Sequence, residues 1–283
     1  TIEVRDTSDD STNGITLFTY SGTPRYKRFV GCAQPNFAVY SDDGESWTEV
    51  NASITGDMIG MAAGSNAFVI AYNNSNQVSF SYDGEEWITR SLPATDNWVD
   101  ITYGNGAFMI VAEGSNTVVT SADGLSWTSR TIPDSADSTT SQYQKVAYGQ
   151  GVHCVISGSD LQVARTANNG ATFSLATNAF PAGDYDFAAF AYGNNRFMAI
   201  TTDNRVLYSL DRGVTFKSGT SLPLLNGADT MIVKDLTFSN GVFFVTGTAE
   251  GSLLTQFALS SEDGIIWTER GLDANDGNWG VSA

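Results

Sequence analysis

Cysteine, histidine and basic charge are all scarce in this chain of 283 residues. Two thiols, Cys32 and Cys154, are far too few for a small disulfide-stapled scaffold, so size alone has to stabilise the fold. A single imidazole, His153, rules out a zinc-ligand set and leaves one residue for any Ser-His-Asp triad. Lys and Arg number 14 against 31 Asp and Glu, a net charge of −17. The cations are scattered singly, which excludes the clustered phosphate contacts of a nucleic-acid interface. An anionic membrane surface would repel the chain. No apolar run approaches the roughly 18 residues needed to span a bilayer, and Thr1-Ile2-Glu3-Val4-Arg5-Asp6 lacks the basic and apolar regions of a leader. A soluble chain without membrane insertion, metal or cofactor is expected.

What is present is apolar mass and repetition. Hydrophobic residues make up 41% and aromatics 12%, enough for a large core and against wholesale disorder. A turn followed by an aromatic recurs six times. Its members are Asp42, Gly44 and Trp47; Asp83, Gly84 and Trp87; Asp123, Gly124 and Trp127; Asn168, Gly170 and Phe173; Asp211, Gly213 and Phe216; and Asp263, Gly264 and Trp267. The aromatic positions are spaced by 40, 40, 46, 43 and 51 residues, a near-constant period with insertions. About twenty residues before the later turns stands a second signature, an apolar strand, an Asn/Gly turn and another apolar strand. Ile101-Thr102-Tyr103-Gly104-Asn105-Gly106-Ala107-Phe108 is one copy. That pattern reads as a hairpin.

Each unit therefore predicts four short strands, in the third unit an inner strand A at 98–103, B at 107–112, C at 117–121 and D at 127–132. No segment sustains a helical period. Radial repetition of four-stranded sheets is the β-propeller solution. The expected architecture is all-β, a six-bladed propeller of four-stranded antiparallel blades, with blades near 15–52, 57–93, 97–133, 143–178, 186–220 and 231–272. Residues 1–14 read as a leader or linker, and 273–283 as a closing strand that begins like an inner one.

In the turn, Gly supplies positive φ, Asp or Asn and Ser or Thr bond the turn amides, and the aromatic fills the gap between sheets. On these residues the chain resembles the Asp-box (BNR) repeat family, whose pattern is Ser/Thr-x-Asp-x-Gly-x-x-Trp/Phe and which includes sialidases and photosystem assembly factors. The spacing matches fully in the fourth and fifth units. In the second and third the Asp adjoins the Gly, a variant that looks more like propellers of bacteriophage tail and bacterial surface proteins.

A sialidase-like site implies three Arg around the inner strands. Those strands contain none, and Arg90, Arg130 and Arg270 share one outer repeat position, which reads as structural. His153 takes the place of Phe68, Phe108, Phe197 and Phe243 and is expected to pack inside strand B. Cys32 and Cys154 fall in opposite blades, beyond the ~7 Å a disulfide allows, so two free thiols are expected.

Strand order brings the D-to-A and B-to-C loops to one face, where binding residues concentrate. Its candidate ligand contacts are Trp98, Tyr143, Tyr185 and Asp186, with aromatic plates and acceptors suited to hydroxyl-rich ligands. Asp100, Lys145 and Asp235 share one position on strand A. They either line the channel mouth or form a structural ion pair, and two carboxylates there also meet the minimum for a glycosidase acid/base pair. Asp6 to Gly14 looks calcium-like but reads better as a linker.

The expected function is a non-enzymatic structural and adhesion module. Its setting is a virion or extracellular surface, and its partners are other virion or cell-surface proteins and glycans. A glycoside hydrolase and an assembly-factor protein platform are the alternatives.

Overall fold

In the computed structural model, the described residues are 2–5, 16–19, 29–33, 37–51, 56–64, 67–133, 142–225, 228–251, 255–270 and 278–281. They form a six-bladed β-propeller of four-stranded antiparallel sheets, and among them there is no helix. Strand β1 (Ile2–Arg5) precedes the blades. Blade 1 is β2 (Thr16–Thr19), β3 (Phe29–Ala33), β4 (Phe37–Ser41) and β5 (Thr48–Asn51). Blade 2 is β6 (Met58–Gly64), β7 (Ala67–Tyr72), β8 (Ser75–Ser81) and β9 (Ile88–Asp96). Blade 3 follows with β10 (Trp98–Gly104), β11 (Ala107–Ala112), β12 (Thr117–Ser121) and β13 (Thr128–Thr131). Blade 4 holds β14 (Tyr143–Gly149), β15 (Val152–Ser157), β16 (Gln162–Thr166) and β17 (Ser174–Ala176). Blade 5 holds β18 (Phe187–Gly193), β19 (Arg196–Thr201), β20 (Val206–Ser209) and β21 (Lys217–Ser218). Blade 6 holds β22 (Ala228–Ser239), β23 (Val242–Gly251), β24 (Thr255–Ser261) and β25 (Thr268–Arg270).

Three strands outgrow the expected length, and β9 has nine residues. β22 has 12 residues and β23 has 10, because the hairpin continues past a second register shift between Ala228 and Thr230. This hairpin absorbs part of the 51-residue interval before Trp267 without disturbing the inner ring. The C-terminal strand β26 (Asn278–Val281) does not complete a blade. It pairs with β1, Ile2 opposite Val281, as a separate two-stranded sheet. The rest of the expected leader, including the calcium-like segment, lies outside the described residues.

Strand B is buried on both faces, and alternation divides its side chains between two neighbours. In β7, Phe68, Ile70 and Tyr72 pack with Val30 and Cys32 of blade 1, whereas Ala67, Val69 and Ala71 pack with Trp98, Phe108 and Ile110 of blade 3. Met109 and Val111 of β11 turn the other way, towards Val146 and Val155 of blade 4. Blades 4 and 5 share a layer containing Cys154, Ile156, Phe197 and Ala199, and blades 5 and 6 one containing Met198, Ile200, Phe243 and Val245. A lone sheet would leave such a strand with an apolar face in water, so each blade depends on its neighbours. The turn aromatics work as expected. Trp87, Trp127 and Phe173 are half-buried in these layers, and Phe216 and Trp267 are buried.

Glycine at the end of strand A has a different use from glycine in the turn. Tyr103, Tyr148, Tyr192 and Phe238 each pack across their own hairpin on Phe108, His153, Phe197 and Phe243, with centroids 4.6 to 4.9 Å apart. Each ring also lies on the glycine of the preceding blade, where a Cβ on Gly64, Gly104, Gly149 or Gly193 would overlap it. These glycines permit close approach; none is among the positive-φ residues.

The turn between C and D behaves alike in every blade. In blade 3, Ser121 Oγ accepts from Gly124 N at 2.8 Å, and Asp123 Oδ1 accepts from Leu125 N and Ser126 N at 2.9 Å. Gly124 has a φ of +74° and fits against Phe80 and Val69 of blade 2. In blade 1 this carboxylate is Asp43 rather than the expected Asp42. Its Oδ1 accepts from Glu45 N and Ser46 N at 2.8 and 2.7 Å and from Ser41 Oγ at 2.9 Å, the residue two after the Ser or Thr serving these turn amides as Asn168 and Asp211 do in blades 4 and 5. The same bonds hold the exposed Asp43 carboxyl down to about 2.

The wedge contact generates a measurable expectation. Gly104→Ala is expected to lower stability by about 1–3 kcal/mol through overpacking. Tyr148→Ala in the same chain should relieve part of that loss. Urea unfolding of the two single variants and the double variant checks the coupling, and additive effects would refute the wedge.

Candidate functional site at the ring axis

The inner strands β6, β10, β14, β18 and β22 each break register at the same point. The shifts fall between Met58 and Gly60, Trp98 and Asp100, Tyr143 and Lys145, Phe187 and Ala189, and Val233 and Asp235. A bulge re-aims side chains and leaves an amide without its ladder partner. Here Trp98, Tyr143, Phe187 and Val233, just before the shift, are buried between blades, as are Val146 and Leu236 just after it. Asp100, Lys145 and Asp235, each followed by a buried residue, keep partial exposure. Blades 3 and 6 are opposite in a ring of six, so Asp100 and Asp235 face each other across the axis.

Each carboxylate serves a bulge amide. Asp100 Oδ1 accepts from Ile101 N at 2.9 Å, and Asp235 Oδ1 from Leu236 N at 2.8 Å. Lys145 has no acceptor to offer the equivalent amide of blade 4. Asp100 Oδ2 reaches across and accepts from Val146 N at 2.8 Å. Shielding from water pushes the Asp100 carboxyl up to about 6; the Lys145 charge and the two amides pull the other way, and the Asp235 charge adds to the rise. Asp235 is also raised by shielding, against the pull of the Leu236 amide and Lys145. Among the described residues Lys145 has no hydrogen bond or ion pair, so the three groups do not form a closed ion pair.

The other expected contacts are placed differently. Trp98 is 0% exposed and its indole N–H donates to Ser75 O at 2.8 Å. Tyr143 is 1% and Tyr185 is 7% exposed. Tyr185 stacks on Phe187 at 6.0 Å, with the Arg205 guanidinium 4.5 Å from its ring. The sequence predicts these three rings on an open loop face. The bulge turns Trp98 and Tyr143 inward, and Phe187 and Arg205 cover Tyr185. Asp186 is exposed and Oδ1 accepts from Gln144 Nε2 at 2.9 Å, while Gln144 Oε1 accepts from Phe187 N at 3.2 Å. Gln144 thus ties blade 4 to blade 5, a role with no signal in the repeat pattern. The shared face of D-to-A and B-to-C loops is borne out, for example where Ser115 Oγ donates to Asp96 Oδ2 at 2.8 Å.

The reactive residues are inside the blades. Cys32 and Cys154 are free and buried, and burial pushes both thiols up to about 12. His153 is fully buried in β15, neither ring nitrogen has a partner, and burial lowers it to about 4. Among the described residues no group of three or more His, Cys, Asp or Glu is arranged to hold a metal ion.

No protein-family model and no curated protein matches the chain. Solved structures do. An inactive histidine-to-alanine variant of virginiamycin B lyase from Staphylococcus aureus, with quinupristin, matches at 12% identity over 92% of this chain and 94% of its own, with a TM-score of 0.67. YCF48 from Cyanidioschyzon merolae matches at 15% identity over 80% of this chain and 78% of its own, TM-score 0.56. A GH74 enzyme from Niastella koreensis matches at 16% identity over 94% of this chain but 38% of its own, TM-score 0.58. Such likenesses show the propeller fold and leave function to the site.

His153 makes stability depend on pH. The unfolded chain takes up this proton near pH 6.5 and the folded chain only near pH 4, so stability from this residue falls as pH drops through that window, by on the order of 3 kcal/mol. His153→Phe, the residue of the equivalent blades, is expected to raise stability by about 1–3 kcal/mol at neutral pH and to flatten that dependence. Urea unfolding at pH 7 and pH 5 measures both, and equal pH slopes for the two proteins would contradict the assignment.

Proposed function

We propose that the chain is a non-catalytic binding platform for a basic protein or peptide partner. One observation carries this reading: Asp100, which accepts two bulge amides, is already engaged in the scaffold on both oxygens. The buried imidazole and thiols point the same way. A net charge of −17 favours a cationic partner and speeds its encounter. YCF48, a similar propeller, is known bound to a D1 peptide, which supports a peptide as the kind of partner such a ring takes. The adhesion reading, set on a virion or cell surface with glycans as ligand, relied on Trp98, Tyr143 and Tyr185 as exposed plates, and their burial removes that support.

A second reading has one observation in its favour. Asp100 and Asp235 stand on opposite blades with raised pKa values, as a glycosidase acid requires. The two readings separate cleanly. An array of Lys- and Arg-rich peptides should bind the platform, weakening steeply between 50 and 500 mM salt, roughly the range over which surface charge is screened, while a glycoside panel shows no turnover. Turnover abolished by Asp235→Asn, or peptide binding indifferent to peptide charge, would overturn the platform reading.

A further inference from the structure

Resting on the binding-platform reading, we infer that Asp100, Lys145 and Asp235 form an axial site for one alkylammonium group, the side chain of a partner lysine. The three come from blades 3, 4 and 6 and occupy one repeat position, where blades 2 and 5 carry Gly60 and Ala189. Blade 1 has Thr16 at this position by register, so charge at this level is confined to two carboxylates and one ammonium. Ionised, they sum to a single negative charge, which one monovalent cation complements.

The free valences choose among cations. Both Asp100 oxygens already accept amides, whereas Asp235 Oδ2 has no partner among the described residues. A guanidinium gains its advantage from two parallel bonds to one carboxylate, which neither Asp can offer. An ammonium, a compact charge with three rotatable donors, needs only single oxygens. A divalent metal ion would meet one open carboxylate oxygen and a repelling lysine, fewer hard oxygen ligands than such ions take. An anion would face two carboxylates. Lys145 itself, with no hydrogen bond or ion pair among the described residues, is the resident competitor: it lies in the field of both carboxylates and must be displaced or repelled by the incoming group.

The test titrates the folded chain with n-butylammonium chloride at constant ionic strength and follows the Val146 and Leu236 amides by NMR, since these donate to Asp100 and Asp235. Saturable shifts at both amides are expected, weaker for methylguanidinium and absent for n-butanol. Asp235→Asn keeps an acceptor for Leu236 and should weaken binding at least tenfold with an unchanged melting curve. Lys145→Met leaves both carboxylates in place and should tighten binding several-fold. No saturable shift, an equal response to n-butanol, tighter binding of methylguanidinium, or a Lys145→Met variant that binds no better would overturn the axial site. Basic-peptide binding that persists alongside any of those results would sink this site alone and leave the platform reading standing.

Discussion

Contact between one blade and its predecessor is the constraint from which the rest follows. A four-stranded sheet whose second strand is apolar on both sides cannot stand in water alone, and its faces are complementary only to those of its neighbours. The wedge of Tyr148 on Gly104, repeated from Gly64 to Phe238, lets the inner strands approach closely while the aromatic layers fill the widening gap outside. From blade 2 onward the turn glycines press on the preceding blade at the rim in the same direction. Length variation is pushed to loops and to the far end of hairpins such as β22–β23, whose extra residues Met231 and Ala249 join the layer between blades 5 and 6.

Close approach at the hub also sets the chemistry there. Every described inner strand from β6 to β22 bulges at one level; in blades 3 and 6 the residue at that level satisfies the released amide, and in blade 4 a neighbour does. Aspartate is the natural occupant because its short carboxylate reaches its own following amide. Lys145 breaks the rule, and the second oxygen of Asp100 bridges two blades as a result. Repetition builds a symmetric ring; three substitutions at one position make its axis polar and asymmetric. His153 is the opposite kind of exception, a polar ring in an aromatic column that supplies it with no hydrogen-bond partner.

Much of this was legible in the residues. Six turn signatures at near-constant spacing led to six blades, and in blade 3 the expected strands agree with the observed ones to within a residue. The packing of His153 and the separation of the thiols followed from repeat alignment. The site was less legible. Trp98 and Tyr143 sit at loop-to-strand junctions in the sequence and read as exposed plates, but a register shift two residues later rotates them into the interblade layer. Asp42 and Asp43 are indistinguishable until the reach to Glu45 N and Ser46 N is known. Gly104 reads as part of a turn, and only the neighbouring blade explains it.

By itself the sequence determined the repeat, the strands and the fact that sheets must bury two faces, because periodicity and turn chemistry are local properties of the chain. Only the tertiary structure decided which side chains reach the axis, which rings are covered and which carboxylate oxygen stays open. Those outcomes depend on register and on contacts between blades some 40 residues apart, and a period carries no information about direction across a ring.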